Sequence, residues 1–294
     1  MDDQSVRWIG ARPVLKDPVL VVMLEGWIDA SGAAQTAIDT IAAAGSATPI
    51  AEFDDDVYVD FRARRPTMEL REGHHVVTTW QRITLSHAHD STGRDLLLLV
   101  GPEPDMAWHR FGRAVADVAT GLGATWMAHL GAYPFAAPHT RPARLSVSTP
   151  SEDLLAQVPF LRSTIDVPAG AAAMLEREFH ERGIPAIGVW AQVPHYVTSL
   201  PYPAASLALL DGLREATGVV VDAADLGAEA IAHGQRIDAL VAGNDEHGHM
   251  VEQLERIYDS TDDAVPVDGA GPSLEMRSGD QLAEELEAFL RDQD

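Results

Sequence analysis

Four runs in this chain, "PVLVVML" at 18–24, "LLLLV" at 96–100, "WMAHLG" at 126–131 and "AIGVWAQV" at 186–193, are too continuously apolar to keep a wet face. A strand of that kind is buried on both sides and belongs in the middle of a sheet covered by helices above and below. Helical patterns follow each of them: "GAAQTAIDTIAAAG", "MAWHRFGRAVADVATGL", "AAAMLEREFHERG" and "PYPAASLALLDGLREATG". Strands alternating with helices in this way predict an α/β sheet covered on both faces. Between 49 and 90 the pattern changes to short alternating stretches, "PIAEF", "VYVDF", "MELRE", "HVVTTW" and "RITLSHAH", which predict antiparallel strands and hairpins.

In open α/β sheets, ligands gather at the carboxyl ends of the strands. Four predicted ends carry distinctive polar residues: Asp29 after the first run, Glu103 and Asp105 after the second, His139 and Arg141 after the third, His195 and Tyr196 after the fourth. If the strands are neighbours, these groups converge. Two Pro-His loops, "APHTRPA" at 137–143 and "VPHY" at 193–196, belong to this set, and proline keeps both out of helices and central strands. Asp29 or Ser31 is placed to cap the first helix, whose free N–H groups are alternatively open to an anion.

Composition closes off several chemistries. A formal charge of −24 repels phosphate backbones and anionic lipid, so neither a nucleic acid nor a membrane surface is expected as partner. The N-terminal stretch is acidic where a signal peptide is basic, and "PVLVVML" is too short to span a bilayer, so the expected location is cytoplasmic. Cysteine is absent, which removes disulfides, thiolate nucleophiles and thiolate metal sites. The single lysine, Lys16, lies in the polar lead-in before the first strand, which excludes a P-loop and leaves no lysine placed for a pyridoxal phosphate Schiff base. No cofactor is expected.

Two histidine pairs raise the question of a metal. His87 and His89 in "SHAHD" share a strand face, and His247 and His249 lie in "EHGH", but neither pair has an evident third ligand in sequence. They read as surface histidines, with no metal site expected.

Beyond the α/β region, 219–259 reads as two helices joined near "GNDE", with Leu226, Ile231, Ile237, Leu240 and Val241 on one apolar face and Met250, Val251, Leu254 and Ile257 on another. Such a hairpin cannot bury its stripes alone and must pack on the sheet or on a second subunit, which predicts a homo-oligomer. Residues 260–294 read as an acidic linker and a terminal helix, "SGDQLAEELEAFLRD". The expected organisation is thus an α/β/α domain at 1–218, a helical hairpin at 219–259 and an acidic tail at 260–294.

The motifs "GWIDAS", "LLLVGPEPDMAWHRF", "HLGAYPFAAPHTRPARL" and "GVWAQVPHYV", in that order from about Val19 to about Leu213, resemble the actinobacterial branch of the proteasome assembly chaperone 2 family. The resemblance implies a three-layer α/β/α domain related to the purine nucleoside phosphorylase (phosphorylase/hydrolase-like) fold, homo-oligomers, a proteasome-related partner and no established catalysis. It also implies docking on the proteasome outer ring through a terminal hydrophobic-Tyr-x tail. This sequence closes on "FLRDQD" instead, with "IYD" internal at 257–259.

Two readings stand at this point. In one, the protein is a non-catalytic assembly-chaperone-like interaction module, and Arg141 is tied to Glu103 or Asp105 in a structural loop. In the other, Arg141 clamps a phosphate or nucleoside beside the first helix N-terminus, with His139 or His195 moving a proton in a phosphorylase- or hydrolase-like site. The first is preferred, because no nucleophile or positioned general base is evident.

Overall fold

The structure, a computed structural model, describes residues 5–260 and 267–268. Its elements run β1 (Val6–Trp8), β2 (Val19–Glu25), α1 (Ala33–Ala44), β3 (Thr48–Phe53), α2 (Asp55–Tyr58), β4 (Thr67–Arg71), β5 (His74–Thr79), β6 (Ile83–His89), β7 (Asp95–Pro102) and α3 (Trp108–Gly121). They continue with β8 (Trp126–Phe135), β9 (Leu145–Ser148), α4 (Glu152–Leu155), β10 (Ser163–Thr164), α5 (Ala171–Glu181), β11 (Ala186–Pro194), α6 (Pro203–Thr217), α7 (Ala224–Ala242), α8 (Asp245–Ser260) and β12 (Val267–Asp268). Short 3-10 turns at Ala30–Gly32 and His195–Val197 follow β2 and β11.

Eight strands form one sheet in the order β1-β3-β6-β7-β2-β8-β11-β9. The four apolar runs are its centre: β7, β2, β8 and β11 lie side by side and parallel. Strand alternation splits their side chains between two cores. Val19, Val21, Leu96, Leu98, Ile187 and Val189 pack beneath α1 and α6 in one. Leu20, Val22, Leu97 and Leu99 pack beneath α3 and α5, with Phe111, Val115, Leu175 and Phe179, in the other. The mixed α/β architecture with helices on both faces follows from this double burial.

Around the centre, some expectations change. "VYVDF" is not a strand: Asp54 accepts a hydrogen bond from the Asp56 N–H and caps the short helix α2. β3 and β6 join the main sheet antiparallel, whereas β4 and β5 form a separate hairpin exposed along its length. β9 was not anticipated; it is a four-residue edge strand antiparallel to β11.

The αα-hairpin is α7 and α8. Leu226 and Ile237 of α7 reach the first core, and Val251 and Leu254 of α8 are buried, but Ile231, Leu240 and Ile257 stand exposed. The expected apolar faces are therefore only partly covered within one chain. β12 pairs parallel with β10, and the expected terminal helix lies outside the described residues.

Candidate functional site

Because β7, β2, β8 and β11 are parallel neighbours, the four strand ends do meet along one edge of the sheet. The side chains they deliver divide into three groups, each with its own partners.

Asp29 follows β2 and turns back onto α1. Its carboxylate accepts from the N–H groups of Ala34 (2.8 Å) and Gln35 (3.1 Å). Burial pushes its pKa up from 3.8, outweighing the backbone N–H groups of Ala34, Gln35 and Ala33 that pull it down. The helix terminus proposed for an anion thus holds the chain's own carboxylate. Ser31 is no cap; its φ is +63° and its hydroxyl donates to the Val197 carbonyl at 3.2 Å.

A raised folded-state pKa means that stability is fullest below 3.8 and declines as pH rises through the folded value. Asp29→Asn, which keeps an acceptor without charge, is expected to match or exceed the wild type at pH 7. Asp29→Ala is expected to lose about 1 kcal/mol. Chemical denaturation of the two variants at pH 7 checks this, and equal losses in both would contradict it.

Glu103 and Asp105 face other partners than expected. Glu103 accepts from the Ala171 N–H at the start of α5. Asp105 accepts from Arg64 Nε at 3.0 Å and from the Asp60 N–H at 2.9 Å. Neither meets Arg141.

His139, Arg141 and Tyr196 form the third group, and their partners come from the helical hairpin. The Tyr196 hydroxyl accepts from the His139 N–H at 2.8 Å and lies 2.7 Å from His139 Nδ1. His139 Nε2 lies 3.1 Å from Asp238 Oδ1 on α7. Every group is satisfied when the Tyr196 O–H donates to Nδ1 and the Nε2–H donates to Asp238. Burial pushes the Tyr196 pKa up to about 12, so the phenol keeps the proton this arrangement needs. His195, by contrast, is exposed beside the Tyr196 ring.

Arg141 is bound by α8. Its Nε and Nη2 donate to the two oxygens of Asp259 at 2.9 and 2.8 Å, and its Nη1 donates to Glu255 at 3.1 Å. Asp259, through its hydrogen bonds with Arg141, raises the guanidinium's pKa further above its usual range. The expected pairing with Glu103 or Asp105 is therefore replaced by one with Glu255 and Asp259, residues not singled out in sequence. Thr140 donates to Glu255 as well, the Tyr258 hydroxyl donates to the Pro142 carbonyl at 3.0 Å, and the Arg144 guanidinium lies 3.7 Å over the Tyr258 ring. Arg144 Nη2 also donates to the Tyr258 carbonyl at 3.0 Å. Glu255, Tyr258 and Asp259 share one helix face at i, i+3 and i+4 and together latch the 139–144 loop. Tyr258 and Asp259 of "IYD" are thus committed inside the chain. Two surface depressions, of about 390 Å³ beside Glu52 and Arg82 and about 210 Å³ beside Trp108 and Glu178, are lined by none of the seven candidate residues.

Two further clusters bring in partners that the sequence did not supply. Beneath α5, His129 Nδ1 lies 2.8 Å from Glu176 Oε1, with both side chains nearly fully buried. The separation is that of an ion pair, but neither ring nitrogen makes a well-aligned hydrogen bond. Ser148 donates to Glu176 and accepts from Trp190 Nε1, each at 3.0 Å. At the opposite end of the sheet, Asp95 supplies the third polar group beside His87 and His89. Among the described residues, His247 and His249 gather no such set: His249 has Glu252 at 3.6 Å within its own helix.

Residues 23–241 match the PAC2 family. A proteasome-assembly chaperone homologue from Mycobacterium tuberculosis is 34% identical, with a TM-score of 0.73 over 79% of this chain and 99% of that one. A PAC2 family protein from Streptomyces avermitilis is 34% identical, with a TM-score of 0.72 over 80% and 100%. A Corynebacterium glutamicum protein of unknown function is 29% identical, with a TM-score of 0.80 over 88% and 98%. No curated protein matches.

Proposed function

The chain belongs to the PAC2 family, and from that membership we propose that it is a non-catalytic, oligomeric interaction module acting in proteasome assembly or on a proteasome-related partner. One observation carries the reading: the loop that would form an anion pocket is saturated by the protein's own α8, with Arg141 held by Glu255 and Asp259. Asp29 likewise fills the helix N-terminus that would complete such a pocket. A clamp already closed on fixed carboxylates favours a structural loop over a substrate site.

The proposed contact surface is apolar. Met68, Leu70, Val76 and Val77 are exposed on the β4–β5 hairpin, Trp80 follows it, and Ile231, Leu240 and Ile257 are exposed on α7 and α8. A two-stranded hairpin is marginal by itself, so a second copy or a partner covering it supports the oligomer. The reading extends to a purine nucleoside phosphorylase-like α/β/α domain at 1–218, supported by the four central parallel strands with helices on both faces. It also takes 219–259 as an appendage and places the protein in the cytoplasm; among the described residues no helix is long and apolar enough to cross a membrane.

Co-expression with actinobacterial proteasome α-subunits tests the proposal. The expected result is co-purification with those subunits, a light-scattering mass of at least two chains for the protein alone, and no heat on titration with phosphate, adenosine or ATP. A strict monomer that ignores the subunits and binds phosphate through Arg141 would overturn it.

A further inference from the structure

We propose that His87, His89 and Asp95 form a binding site for a divalent transition metal of the zinc type, with one coordination position open. The carriers are two paired strands of the main sheet. The antiparallel register of β6 and β7 sets His89 opposite Asp95, and strand alternation brings His87 onto the same face two residues earlier. His87 Nε2 lies 2.8 Å and His89 Nε2 3.2 Å from the same oxygen, Asp95 Oδ1. The three candidate ligand atoms are all within 4.8 Å of one another, and the imidazole rings stand 4.7 Å apart at 69°.

A tetrahedral ion with ligands at 2.0–2.2 Å separates neighbouring ligand atoms by roughly 3.3–3.6 Å. Small rotations of side chains already in place reach that spacing. Asp95 Oδ1 lies at the centre of the cluster, within reach of both imidazoles.

The donor set specifies the kind of ion. Two imidazoles and one carboxylate suit Zn²⁺, Co²⁺ or Ni²⁺, whereas Ca²⁺ and Mg²⁺ require mainly oxygen ligands. The carboxylate also has a supporting group. The Lys16 backbone N–H donates to Asp95 Oδ2 at 2.8 Å, which orients the carboxylate and leaves Oδ1 toward the histidines. The His89 backbone N–H donates to the Gly45 carbonyl at 3.2 Å, which fixes the end of β6. Asp90 closes the intervening turn by accepting from the Thr92 hydroxyl at 2.7 Å and the Arg94 N–H at 3.0 Å, and its other oxygen accepts from the Val220 N–H at 3.1 Å. Ligands carried on paired strands, with the carboxylate oriented by a backbone N–H, are the arrangement of a built site. His89 is half exposed, while His87 and Asp95 are mostly covered, so an ion enters from solvent on the His89 side.

Asp95 opens β7, so the cluster stands at the amino end of the parallel strands, away from the 139–144 loop. Its existence does not depend on the proposed partner or on the α8 latch.

The test uses the full-length protein without a polyhistidine tag, stripped with a chelator. Titration with Co²⁺, followed by displacement with Zn²⁺ against a chromophoric chelator, is expected to show one equivalent bound and the visible absorption of four-coordinate cobalt. His87→Ala, His89→Ala and Asp95→Asn are each expected to weaken Zn²⁺ by at least about tenfold. His89→Ala changes the most exposed ligand, so its folding is the safest of the three. The paired change His247→Ala and His249→Ala leaves affinity unchanged. Absence of a stoichiometric site in the wild type, or binding that His89→Ala does not weaken, as general adsorption to an acidic surface would give, overturns the proposal.

Discussion

Glu176→Ala is expected to lower the thermal midpoint by roughly 10 °C, a loss on the order of 3–5 kcal/mol. Glu176 enters the second core from α5 and is 4% exposed. Its Oε1 sits 2.8 Å from His129 Nδ1 and 3.0 Å from the Ser148 hydroxyl that donates to it. Truncation leaves His129 and Ser148 buried without that partner and opens a cavity between α5 and the sheet, and both effects destabilise. Ser148, Gly188 and His129 lie in one row across β9, β11 and β8. Gly188 has no side chain because a Cβ there would overlap Ser148 Oγ and His129 Cε1 and lie 2.7 Å from Glu176 Oε1. Glu176→Gln keeps an acceptor for Ser148 and is expected to lose less than half as much. Scanning calorimetry compares the two variants, and a midpoint for Glu176→Ala within 2 °C of the wild type would remove the buried pair from the account of stability.

The same row shows where sequence reading stops. β2 and β7 are legible because every residue of each run is apolar and the two cores take alternate positions. A lone His129 in "WMAHLG" carries no comparable mark, since Glu176, which it faces, and Ser148, which donates to Glu176, lie 47 and 19 residues further along in unrelated elements. "VYVDF" alternates like a strand, but the three aspartates before it supply a helix cap and an acidic first turn, and local capping prevails. "LSVS" is too short to announce an edge strand. The convergence of strand ends was legible in outline, because parallel order follows from the βα alternation. What each end touches was not: Arg141 finds its carboxylates 114 and 118 residues later, on a helix whose docking only the folded chain reveals. At "SHAHD", the strand period put two histidines on one face, but only the β6–β7 register supplied Asp95.

Those distant partners make α8 an element that a single change can release. Tyr258→Ala is expected to raise the cleavage rate of the 245–260 segment by limited proteolysis roughly 30-fold, with similar acceleration of hydrogen exchange there, while the sheet core keeps its protection. The change removes the ring beneath the Arg144 guanidinium and the hydroxyl donated to the Pro142 carbonyl. A partly desolvated cation–π contact and one hydrogen bond together contribute about 2 kcal/mol, which is a factor of roughly 30 in the opening equilibrium. Arg141→Ala should open the helix less, because its ion pairs with Glu255 and Asp259 are partly exposed and screened by salt. Salt therefore separates the two contributions: raising ionic strength should accelerate opening in the wild type but have little further effect in Arg141→Ala. Acid acts in the same direction as salt. Its hydrogen bonds with Arg141 hold the Asp259 pKa below 3.8, so that stabilisation is complete above 3.8 and lost as pH falls through the lower folded value. Cleavage of Tyr258→Ala at the wild-type rate would show that Val251 and Leu254, rather than the latch on the 139–144 loop, hold α8 in place.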